Sequence, residues 1–181
     1  FLTYVGQLDF GFRSSGYLLD LREDLTQMQL RWFNRWLKGD ATSFATDAPV
    51  RVFVQGANRW RDEAAWPPPQ ARLTPWYLRA GGALCTQAPV ANEPSDSYVY
   101  DPEDPCPTCG GTLLMPPQYS PGPVDQAPIL GRRDVLIYTS APLPADLEIC
   151  GPVTLKLVAS TSAVDTDWMA KLCDVHPDGR T

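Results

Sequence analysis

Val153-Thr154-Leu155-Lys156-Leu157-Val158 and Trp168-Met169-Ala170-Lys171-Leu172-Cys173-Asp174-Val175 are two runs joined through the polar stretch 159–167 and followed by His176-Pro177-Asp178-Gly179-Arg180. Both runs are mostly apolar and carry Val153, Thr154, Val158, Trp168 and Val175, β-branched or aromatic residues that suit strands, and Pro-Asp-Gly is a turn signature. The stretch predicts two β-strands and a tight turn.

Working outward from it, the same vocabulary recurs. Val50-Arg51-Val52-Phe53-Val54, Trp76-Tyr77-Leu78, Ser97-Tyr98-Val99-Tyr100 and Val135-Leu136-Ile137-Tyr138-Thr139 also read as strands, separated by Pro, Gly and Asp. No helical period interrupts them, which argues against parallel βαβ units. Nineteen Pro among 181 residues is about twice the usual 5%. Pro breaks helix interiors and central strands, so short strands on ordered loops are expected. The fold class is therefore mainly β, a sandwich of jelly-roll type. Trp66-Pro67-Pro68-Pro69 and the stretch from Met115 to Pro128 read as surface loops.

Before the strands lies one helix, expected from about Leu21 to Lys38. Leu21, Leu25, Met28, Trp32, Phe33, Trp36 and Leu37 recur every three or four residues. Asp20 with Glu23 suits a capping box, and Gly39 suits a left-handed terminus. A stripe with two Trp and one Phe calls for a large apolar partner surface.

Composition excludes several classes. Net charge is −6 without a basic block, so nucleic acid is not an expected partner. No apolar run approaches the roughly 20 residues of a membrane span. The five cysteines are dispersed and odd in number, unlike a disulfide framework. Reduced thiols are the milder reading, which slightly favours the cytoplasm. The start at Phe1, with neither Met nor leader pattern, and the stop at Thr181 after a turn lead us to expect a fragment.

Several segments in order resemble the cocaine esterase / X-Pro dipeptidyl-peptidase family of serine hydrolases. Leu30 to Gly39 resembles the last helix of the family's α/β-hydrolase domain. Val52 to Glu63, followed by Trp66-Pro67, resembles the opening of its β-domain. Asp101 to Pro105, Pro107-Thr108 and Gly110-Gly111-Thr112-Leu113-Leu114 resemble its Asp-Pro…Gly-Gly loop. Asp134 to Ser140 and the run from Val153 complete the series. The resemblance implies residues 1–40 as the tail and last helix of an α/β-hydrolase domain. It implies 41–181 as the first part of a galactose-binding-like β-sandwich.

The family's reaction is acyl transfer to water by Ser, His and Asp, on an ester or X-Pro peptide, without a cofactor. The nucleophile needs the strand-to-helix elbow of G-x-S-x-G. The chain has none, and Gly11-Phe12-Arg13-Ser14-Ser15-Gly16 has the wrong spacing. In the family the catalytic His precedes a segment like Val5 to Gly11, which would place it before Phe1. No catalytic residue is therefore assigned, and this segment alone is expected to be inactive. The expected partner is an upstream α/β-hydrolase domain of the same parent chain. Within the β-domain, Leu113, Leu114 and Met115 are candidates to line the substrate cleft, since Gly110 and Gly111 permit close backbone approach. The bland alternative, to which the residues alone lean, is that these three side chains fill the core.

Three other signals carry weight against themselves. Cys106-Pro107-Thr108-Cys109 has the spacing of half a zinc site, and only Cys173 with His176 could complete it. One pair alone is weak, so free thiols or a loop disulfide is preferred. His176, the chain's single histidine, adjoins Pro177-Asp178-Gly179, so a turn role is preferred to catalysis. Asp165, Asp167 and Asp174 are read as turn carboxylates rather than calcium ligands. The runner-up function is a self-standing β-sandwich that binds carbohydrate or another ligand, against which the aromatic helix argues.

Overall fold

A computed structural model describes residues 25–54, 56–57, 59–111 and 124–181. The chain divides into two units, Phe1–Gln70 with Gly110–Pro123, and Ala71–Cys109 with Val124–Thr181.

The first unit holds helix α1 (Leu25–Leu37) and an antiparallel hairpin of β1 (Val50–Val54) and β2 (Arg59–Glu63). The proposed Asp20–Glu23 start of the helix lies outside the described residues. Its end matches the expectation: Gly39 sits at φ +72°. The Asn34 carbonyl accepts from both Lys38 N–H at 3.2 Å and Asp40 N–H at 3.1 Å. A residue with a Cβ resists that backbone, so glycine ends the helix here.

β1 is covered on both faces, with Val52 only 2% exposed. Its neighbour β2 is a strand that composition hides, since four of its five residues are charged. Pairing explains it. Arg51 stands opposite Asp62 and donates to it at 2.6 and 3.2 Å. Phe53 stands opposite Trp60, edge to face, with ring centroids 5.3 Å apart. Such directly opposed pairs are the unit of sheet stability, each contributing about 0.2–1 kcal/mol.

The second unit contains a shorter hairpin, β3 (Tyr77–Arg79) against β4 (Ala83–Cys85), and a single helical turn, α2 (Ala127–Leu130). Gly81 and Gly82 form the turn at φ +77° and +76°. The segment ending at Thr139 runs parallel to β4. Leu84 N–H donates to the Thr139 carbonyl at 3.0 Å, and Thr139 N–H to the Gly82 carbonyl at 2.8 Å.

The structure is β-rich, and among the described residues the regular strands are these two hairpins. The strands expected over 97–100, 135–139, 153–158 and 168–175 are not formed as ladders among the described residues; only Thr139 makes an isolated bridge. The physical reason is exposure: Leu155, Val158, Val164, Met169 and Leu172 all face solvent. β-Propensity measures fit to a half-buried pleated surface, and these side chains have no such surface to fit. α2 straddles the end of the Met115–Pro128 stretch, whose prolines predict a loop; Pro128 sits in the helix's first turn, where its missing N–H costs no hydrogen bond.

Candidate functional site

Leu113, Leu114 and Met115, the candidate cleft residues, lie outside the described residues. What the structure does build is a polar knot around Gln126, immediately before α2. Gln126 is buried. Its amide nitrogen donates to the Val124 carbonyl at 2.7 Å and the Cys109 carbonyl at 3.3 Å. Its amide oxygen accepts from Lys171 Nζ at 2.5 Å, and Lys171 also donates to the Cys109 carbonyl at 2.8 Å. The Cys109 thiol donates to the Asp125 carbonyl at 3.4 Å. Asp125 accepts from the backbone N–H of Ala127 and of Thr181, both at 3.1 Å. Those two donors lower the Asp125 carboxyl below its usual range. Buried amides must be satisfied, and this one gathers segments 45 and 62 residues apart in sequence. Nothing in local sequence pattern announces it.

The cysteine pair falls beside this knot, Cys109 within it. Cys106 is exposed, Cys109 half-buried and Cys173 exposed, all as free thiols. Among the described residues no group of three or more His, Cys, Asp and Glu is placed to hold a metal ion. His176 occupies the turn: its N–H donates to the Arg180 carbonyl at 2.8 Å, and Gly179 N–H donates to its carbonyl at 2.9 Å. Its Nε2 lies 3.8 Å from Asp174 Oδ2. That is an exposed contact, not the Ser–His–carboxylate alignment that acyl transfer requires.

Two arginines fix the loops of the same unit. Arg79 donates to Glu93, with Nε–Oε1 at 2.8 Å, and to the Gln87 and Ala88 carbonyls at 3.0 and 3.2 Å. Its hydrogen bonds hold the Glu93 carboxyl below the usual range. Arg132 donates to both Asp134 oxygens at 2.7 and 2.8 Å and to the Asp104 carbonyl at 2.6 Å. Forked guanidinium pairs of this kind position backbone segments. Tyr138 donates its hydroxyl to Asp96 at 2.7 Å. Burial, then the Asp96 contact and charge, push its phenol up to about 12. These contacts tie the loops of the unit together through two forked guanidinium pairs and one phenol–carboxylate hydrogen bond.

On α1, Leu30, Phe33, Trp36 and Leu37 remain exposed, while Arg31 faces the following loop.

Residues 42–181 match the model of the X-Pro dipeptidyl-peptidase C-terminal non-catalytic domain. The chain belongs to that family. It is 43% identical over 166 residues to a cocaine esterase of Rhodococcus sp., covering 87% of this chain and 29% of that protein. It is 33% identical over 153 residues to proteins assigned as serine esterases in Mycobacterium bovis and Mycobacterium tuberculosis. In both cases the alignment covers 83% of this chain and 24% of the relative. The chain thus spans only 24–29% of the length of these relatives. An aminopeptidase structure from a marine sediment archaeon, Thaumarchaeota archaeon, aligns at 26% identity and TM-score 0.46, over 64% of this chain and 19% of that one. That likeness carries no weight here. Among the described residues no helix is long and apolar enough to cross a membrane.

Proposed function

We propose that this chain supplies the supporting β-domain, with the closing helix of the catalytic domain, of a serine hydrolase acting on esters or X-Pro peptides. The observation that carries the reading is the match of residues 42–181 to a domain described as non-catalytic. The esterase names of the curated relatives support the hydrolase class. The boundary is placed at residue 40, with 1–40 belonging to the α/β-hydrolase domain and 41–181 to a galactose-binding-like jelly roll of which this is the first part.

In the parent, a serine attacks the ester or amide carbonyl and water releases the acyl-enzyme. The nucleophile and its histidine come from the hydrolase domain. The β-domain holds that domain in place and walls the cleft, with Leu113, Leu114 and Met115 offering apolar surface to the acyl group. The exposed strip Leu30–Phe33–Trp36–Leu37 of α1 is the surface on which the rest of the hydrolase domain docks.

The test is p-nitrophenyl ester hydrolysis by the 181 residues beside the full parent protein. Turnover by the parent alone, abolished when its elbow serine becomes alanine, is the expected result. Enzyme-like turnover by the 181 residues would overturn it.

A further inference from the structure

We draw no further inference here: the strongest candidate, the exposed Leu30–Phe33–Trp36–Leu37 face of α1, already belongs to the domain contact proposed above, and nothing in the structure shows any other occupant.

Discussion

Arg31, in the middle of α1, donates to Asp47 Oδ2 at 2.6 Å, three residues before β1 begins. The same guanidinium donates to the Ser43 carbonyl at 2.8 Å and stacks 4.6 Å over the Phe44 ring. Trp32 adds an edge contact to Phe44 at 6.4 Å. One side chain thus clamps the helix to the loop that launches the buried strand. The ion pair is partly exposed, so solvent screening keeps its own contribution near 1 kcal/mol. The cation–π contact contributes about 0.5–1 kcal/mol more. Arg31→Met should cost about 2 kcal/mol in urea unfolding, and a cycle with Asp47→Asn should show coupling near 1 kcal/mol. Fully additive effects would mean that the pair does not act as a clamp.

Gly82 and Gly81 share a left-handed backbone, at φ +76° and +77°, but not an environment. A Cβ on Gly82 would stand 2.8 Å from the Ile137 carbonyl oxygen, whereas one on Gly81 meets nothing within 4 Å. Gly81→Ala should therefore cost about 1 kcal/mol, the backbone penalty alone. Gly82→Ala adds a backbone clash that only displacement of Ile137–Thr139 relieves, for a total of about 2–4 kcal/mol. Hydrogen exchange at Leu84 and Thr139, whose amides bridge the two segments, should accelerate in the Gly82 variant only. Equal costs for the two alanines would refute the close approach.

Asp40 closes the turn after α1. Its carboxylate accepts from the hydroxyls of Ser43 and Thr42, both at 2.6 Å, and from Thr42 N–H at 2.9 Å. Those donors, Ser43 first, hold its pKa down at about 2 from the usual 3.8. Because the folded value lies below the unfolded one, the stabilisation is complete above pH 3.8 and is lost as pH falls through about 2. Carboxyl carbon chemical shifts followed by NMR should place the Asp40 midpoint near 2, and Ser43→Ala should raise it. A midpoint at the ordinary aspartate value in the folded chain would contradict the turn.

Local physics made part of this molecule readable from sequence. The apolar period of 28–37 marks α1, Gly39 marks its end, and the Val-rich run marks β1. Pairing made other parts unreadable. Nothing in Arg59-Trp60-Arg61-Asp62-Glu63 announces a strand until Arg51 and Phe53 are set opposite Asp62 and Trp60. β4 does leave a signal, the Gly81-Gly82 turn of a hairpin, although Ala83-Leu84-Cys85 is too short for a hydrophobic run to mark it. The converse holds for 153–158 and 168–175: their apolar runs read as strands, but among the described residues no ladder forms there and Leu155, Val158, Met169 and Leu172 face solvent. The Gln126 knot is wholly non-local, so no window of sequence contains it. The family, by contrast, was legible because resemblance is carried by ordered segments over the whole chain and does not depend on which ladders form.

The last prediction concerns the exposed strip on α1. Burying one large apolar side chain contributes about 1.5–3 kcal/mol, and exposed apolar patches mark interaction surfaces. If the strip seats the remainder of a hydrolase domain, Phe33→Glu and Trp36→Glu should each destabilise the full parent protein by about 2–4 kcal/mol, since each also forces a charge into the contact. The same substitutions should shift the melting temperature of the 181-residue chain far less, because both side chains already face solvent there and Trp36 gives up only its contacts with Trp32 and Arg35. Leu73→Lys, at a position 90% exposed, serves as the control and should be neutral in both settings. A parent protein indifferent to charge at Phe33 and Trp36 would remove α1 from the domain contact, while leaving the family membership of residues 42–181 untouched.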